Sequence, residues 1–478
     1  MNLKKQAISG VKWTTFSSAT NGILQLVQLM ILARFLTTHD FGIMAILMVI
    51  IGFSQIFVDF GLSKAIIYKR EISENQLSTL YWLNIIFSLF IFIFIYSISE
   101  FIVYFYEEPI LKSYILIVSS VIIIQAFGLQ FRALFQKELQ FNILAKIDIL
   151  SAIISFGLAI YLALFGYGIY ALIFSVLSMA IVRTILLLYF GLKVHKPKFI
   201  FKLFEIKDFF VFGSYSTVNG IVSTIASRID IILIGKLLGT DTLGLYSVIK
   251  ELILRPAELI NPIIAKVAFP TMSKVNDDLQ KVKKIYLKLI NYVASINFPI
   301  YVACLIFATE IIEIFLGEKW LDGVYIFQIL SIWALIRSIG NPVGSLVMAV
   351  GKPQVEMYWN IFMMIFMPLI VLISSLWGIV GLSYGNLFAS VLLYIPAWYF
   401  LVFKLCGATF KEYFNSSFKA LYISVIVGSV VYITIQFVPN ILYIKLSFGL
   451  ILGAVLIFFL NKYLNRDFYE AMIGMVIK

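Results

Sequence analysis

Apolar runs of about 20 residues, each closed by glycine, proline or a short charged cluster, recur along the whole chain. That is the length an α-helix needs to cross the hydrocarbon core of a bilayer at about 1.5 Å per residue. The runs predict spans near 11–36, 41–63, 78–99, 111–131, 144–165 and 168–192. After a basic stretch they resume near 209–235, 242–266, 286–308, 324–348, 355–377, 378–403, 417–438 and 441–462. The expected fold class is an all-α membrane protein of about 14 transmembrane helices with short loops and no large soluble domain. The Met1 to Lys12 stretch carries Lys4 and Lys5 and lacks a small-residue cleavage site, so it reads as the start of a retained first helix.

Composition strengthens that reading. Of 478 residues, 62% are hydrophobic and 13% charged, and the mean hydropathy is +0.99, outside the range of soluble globular domains. The net charge of +12 is unevenly placed along the chain. Basic residues collect in alternate loops: Lys64, Lys69 and Arg70; Lys193, Lys196, Lys198, Lys202 and Lys207; Lys274, Lys281, Lys283, Lys284 and Lys288. The other loops hold Glu107, Glu108, Glu310, Glu313, Glu318 and Asp322 with few cations, chiefly Lys112, Lys319 and Lys445. The positive-inside rule then puts the N- and C-termini in the cytoplasm and makes the basic excess a topology signal; no nucleic-acid partner is expected.

The chain also resembles itself. RFLTTHDFGIMA at 34–45 and KLLGTDTLGLYS at 236–247 match Leu36 with Leu238, Thr38 with Thr240 and Gly42 with Gly244. FYEEPILKSY at 105–114 resembles FLGEKWLDGVY at 315–325, and LFQKELQ at 134–140 and MAVGKPQ at 348–354 occupy corresponding places. An even number of spans separates each pair, so both copies cross in the same direction. This parallel repeat predicts two six-helix lobes related by a pseudo-twofold axis along the membrane normal, facing a central cationic cleft. The expected boundaries are 1–207 and 208–403, with two further helices and a tail in 404–478.

The candidate chemistry lies in charges placed inside the spans: Arg183, Arg228, Lys250, Arg255 and Arg337. Each such residue costs roughly 2.5 to 3.5 kcal/mol at a helix centre, so five oppose insertion by about 12 to 17 kcal/mol gross. A cleft that binds an anion would explain their retention. Four of the five are arginines, whose planar fork stays charged and grips phosphate bidentately. Arg34 and Lys236, at matching positions of the repeat, extend the candidate substrate-binding set toward the outer rim, although both can snorkel. Arg255 has Glu251 four residues before it and Glu258 three after, so an intrahelical ion pair is the competing reading there. Asp59, Asp230, Glu251 and Glu258 are the acids available for ion coupling, each also open to structural pairing. Asp148, near the cytoplasmic end of its span, has water within reach.

Several chemistries lack material. Cys304 and Cys406 are not spaced for a metal or a disulfide, His39 and His195 are the only histidines, and no Walker, Gly-rich phosphate or nucleophile-elbow motif occurs. No metal, cofactor or catalytic residue is expected. Tyr215, Trp333, Tyr384 and Tyr394 are candidates for stacking on sugar, against a default of packing and interface anchoring. Prolines 256, 262, 299, 342, 368 and 396 are expected to interrupt helices, and breaks at Pro256 and Pro342 would fall beside Arg255 and Arg337.

VDFGLSKAIIYKREISENQLSTLYWLN at 58–84, RIDIILIGKLLGTDTLGLYSV at 228–248, LRPAELINPIIAKVAFPTMSK at 254–274 and FLGEKWLDGVYIFQILSI at 315–332 resemble the polysaccharide flippases of the multidrug/oligosaccharidyl-lipid/polysaccharide exporter superfamily, in the O-antigen, colanic-acid and exopolysaccharide branch. The resemblance implies a non-enzymatic flippase of the bacterial inner membrane that moves an undecaprenyl-diphosphate-linked oligosaccharide outward by alternating access. It leaves the sugar undefined and allows a polysaccharide polymerase and glycosyltransferases as partners, besides membrane lipids. Two other readings stay open: a multidrug cation antiporter of the same superfamily, which should have an acid-dominated cavity, and a membrane-embedded polymerase or ligase, which should have a sizeable outer loop or a His/Asp pair.

Overall fold

The computed structural model describes residues 3–59, 61–69, 71–439 and 441–476. The side chains at 3–8, 11, 62, 64, 68, 208, 210–216, 262–267, 270, 475 and 476 are not described, so Lys4, Lys5, Lys64, Arg70, Tyr215 and Pro262 lie outside the described side chains. The described chain is nearly all helix: α1 (Leu3–Phe35), α2 (Thr38–Asp59), α3 (Leu62–Tyr68), α4 (Glu74–Tyr106), α5 (Leu111–Lys137), α6 (Phe141–Leu164), α7 (Tyr170–Gly191), α8 (Lys207–Leu237), α9 (Thr240–Ser273) and α10 (Leu279–Ile306). There follow α11 (Ala308–Phe315), α12 (Val324–Ser338), α13 (Val343–Ala349), α14 (Pro353–Ser375), α15 (Gly378–Leu392), α16 (Tyr394–Trp398), α17 (Lys404–Cys406), α18 (Phe410–Ile435), α19 (Leu442–Leu464) and α20 (Arg466–Val476). Among the described residues, 12 helices are long and apolar enough to cross a membrane, or up to 13 counting the pair 378–392 and 394–406, bent by 43°. The protein is a multi-pass membrane protein. The span expected at 242–266 is helical as part of α9, but Lys250, Glu251, Arg255 and Glu258 keep it below that apolar threshold.

Helix ends follow local chemistry. Ser73 and Gln76 close a capping box at the start of α4, as Thr409 and Glu412 do for α18, and Asp278 accepts from the Gln280 and Lys281 amides to start α10. Pro342 stands where expected, in the break between α12 and α13, and Pro396 stands in the bent pair. Pro256 does not interrupt α9, and α10 and α14 continue through Pro299 and Pro368. Neighbouring helices supply the packing that lets a membrane helix tolerate a missing N–H.

Internal contacts divide the chain into two units, one of Met1–Ser247 with Asn360–Pro368 and one of Val248–Trp359 with Leu369–Lys478. In the first, Phe131, Leu80, Leu134, Phe135 and Leu187 fill the space between α4, α5 and α7. In the second, Tyr286, Ile290, Leu346, Val347 and Tyr413 form one core, and Phe307, Ile423 and Val427 join α18 and α19 in another.

Loops expected on one side of the membrane meet one another. Lys236 binds Glu107 at 2.8 Å and Lys445 binds Glu310 at 2.7 Å, while at the opposite ends Lys198 binds Glu74 and Lys283 binds Glu412, both at 2.9 Å. Lys236 beside Glu107 holds that carboxyl below the usual glutamate range.

The two turns that match in the repeat, α1–α2 and α8–α9, also meet, and they do so reciprocally within the first unit. A Cβ on Gly42 would lie 1.9 Å from the Thr240 carbonyl oxygen, and one on Gly244 would lie 1.7 Å from the Thr38 carbonyl oxygen. Gly239 turns the chain between α8 and α9 at φ +84°, a conformation that glycine takes without steric cost.

Candidate functional site

Helix geometry puts three charges of the first unit at one level. Counting about 1.5 Å per residue from the nearest loop ends, Arg132 on α5 lies about 8 Å in, Asp148 on α6 about 11 Å and Arg183 on α7 about 12 Å. They touch. Arg132 donates both terminal nitrogens to Asp148, Nη1 to Oδ1 at 2.9 Å and Nη2 to Oδ2 at 3.0 Å. Arg183 brings Nε to 3.1 Å from the same Oδ1, yet off the line of a hydrogen bond, so that donor is buried without an acceptor. One carboxylate thus serves two guanidiniums, leaving one positive charge in surplus. The side chains of Arg132, Arg183 and Asp148 are 32%, 26% and 13% exposed, which is dry enough to strengthen Coulomb forces and open enough for a ligand oxygen.

The second unit also holds charges deep along its helices. From the α8–α9 turn, Lys250 lies about 15 Å along α9 and Arg255 about 22 Å; Arg337 lies about 20 Å along α12. Arg255 donates to Glu251 and, at 3.2 Å, to Glu258, so the intrahelical reading holds for this arginine. Arg337 stacks its guanidinium 5.1 Å from the Trp333 ring centre, and Lys250 approaches the same ring at 5.8 Å. Arg337 is exposed and has no carboxylate within 4 Å among the described residues. Trp333 is 6% exposed, so its faces serve cations rather than sugar. Tyr384 is hydrogen-bonded to Tyr325, and Tyr394 packs against Tyr413 and Phe410.

The remaining candidates separate. Arg228 on α8 is exposed and, among the described residues, unpaired, while Asp230 points elsewhere, buried and accepting from Tyr246 Oη at 3.0 Å. Lys236 is held by Glu107, and Arg34 is exposed at the end of α1 beside the same turn. Asp59 caps the start of α3 by accepting from the Ser63 amide at 3.2 Å. The set therefore gathers into an Arg132/Asp148/Arg183 cluster, an α9–α12 cluster around Trp333 and a rim group; Arg132 is the addition that span boundaries concealed.

Residues 31–325 match the family model described as "Polysaccharide biosynthesis protein". The chain belongs to that family. It is 31% identical over 425 residues to the lipopolysaccharide biosynthesis protein WzxC of Escherichia coli (strain K12), covering 89% of this chain and 86% of that one. It is 33% identical over 362 residues to the teichuronic acid biosynthesis protein TuaB of Bacillus subtilis (strain 168), covering 75% and 74%. Among solved structures, the lipid II flippase MurJ in an inward closed conformation shares the fold with a TM-score of 0.78 at 16% identity, over 96% of this chain and 99% of that one.

Family membership and site chemistry agree. The Arg132/Asp148/Arg183 cluster sets two guanidiniums against one carboxylate, a polarity suited to an anionic ligand, whereas Arg255 and Arg337 in the second unit are matched in number by Glu251 and Glu258. Among the described residues no group of His, Cys, Asp and Glu could hold a metal ion.

Proposed function

We propose that the chain is a flippase carrying an undecaprenyl-diphosphate-linked oligosaccharide from the cytoplasmic to the outer leaflet of the bacterial inner membrane, for synthesis of a surface polysaccharide. The observation that carries this reading is the shared counter-ion: Asp148 neutralises one of Arg132 and Arg183 and leaves the other available to a diphosphate. The relatives named for lipopolysaccharide and teichuronic acid biosynthesis, and the fold shared with a lipid II flippase, support it.

In this reading the lobes are 1–207 and 208–403 with 404–478 appended, both termini are cytoplasmic, and alternating access moves the headgroup between leaflets. Arg183, Arg337 and Arg228 offer donors to the diphosphate, with Arg132 sharing the load. Lys250 stands beside Arg337 on Trp333, Arg255 is engaged by its own helix, and Arg34 and Lys236 stand at the exit. Each of Asp59, Asp230, Glu251 and Glu258 already has a partner, so ion coupling through any of them requires that partner to be displaced. A polymerase and glycosyltransferases are proposed partners downstream and upstream of the lipid-linked substrate.

The test is surface polymer in cells whose own copy is deleted. Arg183→Gln and Arg337→Gln are expected to reach the membrane at normal levels and lose most export, whereas Arg255→Gln, which leaves Glu251 and Glu258 without their cation, is expected to lose protein level first. Normal polymer from both the Arg183 and Arg337 variants would refute the assignment.

A further inference from the structure

Residues 192–206, between α7 and α8, are strapped to the first turns of α4. The Lys198 and Lys202 amides donate to Ser78 Oγ and Thr79 Oγ1, both at 3.1 Å. In return Trp82 Nε1 donates to the Lys198 carbonyl at 3.0 Å, Thr79 Oγ1 to that of Ile200 at 3.3 Å, and Gln76 Nε2 to that of Glu205 at 2.8 Å. His195, within the strap, is buried, and that burial pushes its imidazole below the usual histidine range. With its backbone fixed in this way, the strap presents its side chains in a set direction.

Those side chains do not suit water. Phe204 is 97% exposed, Phe199 78% and Leu203 56%, although one edge of Phe199 meets the Trp82 ring of α4 at 5.2 Å. Around them stand Lys193, Lys196, Lys198, Lys202 and Lys207, all exposed. Lys198 and Lys202 are neutralised by Glu74 and Glu205; Lys193, Lys196 and Lys207 have no carboxylate within 4 Å among the described residues. The strap begins where α7 ends and rests on the start of α4, both membrane-spanning helices, so it lies level with the span ends, where headgroups meet acyl chains. Exposed aromatics flanked by lysines, three of them without a carboxylate partner, match an anionic lipid surface at that level in both respects: rings enter the acyl boundary and ammonium groups meet headgroup charge.

We propose that residues 192–207 form an interfacial anchor that binds anionic phospholipid of the leaflet facing this end of the protein. The surplus of lysine selects phospholipid over an apolar protein partner, and the anchor is independent of what the flippase carries. It would hold α4, α7 and α8 at a fixed depth.

The full chain is reconstituted in nanodiscs of phosphatidylcholine with or without phosphatidylglycerol, carrying Phe204→Cys labelled with bimane and alanine at Cys304 and Cys406. Lipids brominated just below the headgroup are expected to quench the label when phosphatidylglycerol is present. The Lys193→Gln/Lys196→Gln/Lys207→Gln variant is expected to lose that dependence. Should the cysteine-free background fold poorly, native mass spectrometry of the otherwise unaltered protein from mixed micelles gives the same reading, with the triple variant lowering phosphatidylglycerol retention on the order of 10-fold. A label open to aqueous iodide in both membranes, quenching indifferent to phosphatidylglycerol, or equal retention by both proteins overturns the proposal. Because lipid binding is read directly, such a failure leaves the flippase assignment standing.

Discussion

Gly244→Leu is expected to leave little folded protein in the membrane, and Gly244→Ala to lower the unfolding temperature measured in detergent by several degrees. The reason is geometric. The new Cβ would fall 1.7 Å from the Thr38 carbonyl oxygen and 2.8 Å from the Gly42 nitrogen, both backbone atoms that cannot rotate aside as a side chain would. Relief requires the two turns to separate, which breaks the bond from Thr38 Oγ1 to Asp241 (3.1 Å). Overpacking of this kind costs about 1 to 3 kcal/mol, more where backbone opposes backbone. Gly42→Ala should behave alike, since its Cβ meets the Thr240 carbonyl oxygen at 1.9 Å, and the pair of substitutions should cost less than the sum because either one opens the same contact. Gly52→Ala is the control: nothing lies within 4 Å of its Cβ, so stability should hold or rise. Equal effects at positions 52 and 244 would contradict the close approach.

The second large effect is expected at Asp148. Its conversion to Asn removes the negative charge shared by Arg132 and Arg183 and leaves two like charges facing each other. Removing one partner of a buried pair costs roughly 3 to 5 kcal/mol, and the partial exposure of both arginines should bring this case to the lower end or below. The informative comparison is the double variant Asp148→Asn/Arg132→Gln, which restores local neutrality but for Arg183. Thermal unfolding should recover most of the loss, and the remaining guanidinium should keep part of the export activity. A single Asp148→Asn protein as stable as wild type would show that water, rather than the carboxylate, already compensates the arginines.

Acid should loosen the strap. The His195 imidazole titrates below its unfolded value because burial penalises its charged form, an effect only partly offset by Glu74 and further aided by Lys198. An unfolded histidine binds its proton first, so stability from the neutral form is complete above about pH 6.5 and falls as pH drops toward the folded value. Protection of residues 193–206 against hydrogen exchange, corrected for the intrinsic rate, should therefore fall as pH drops below about 6.5, and His195→Gln should remove much of that dependence.

Much of this was legible in the sequence because lipid imposes one rule: every spanning backbone must satisfy itself, so apolar runs become helices. The runs located the helices, and charge alternation sorted the loops whose lysines and glutamates then met. Side-chain pairing was less legible. Arg255 could be paired from its own helix because Glu251 and Glu258 lie within one turn. Arg132 could not, since its partner is on the next helix and the expected span stopped at 131, while α5 runs to Lys137. Trp333 and Arg337 lie four residues apart, a spacing at which stacking on one helix face was available to sequence reasoning. Pro256 misled because a missing N–H need not end a membrane helix, and α9 runs on from Thr240 to Ser273 through it.

The central claim, that surplus guanidinium charge recruits a lipid diphosphate, is tested most directly by titrating the purified protein in nanodiscs with undecaprenyl diphosphate and following tryptophan fluorescence, to which Trp333 under Arg337 contributes. Each lost charge-assisted contact is worth about 1.5 to 3 kcal/mol, so Arg183→Gln/Arg337→Gln should weaken binding by on the order of 100-fold or more while the protein stays folded. An affinity unchanged in that variant would contradict the account.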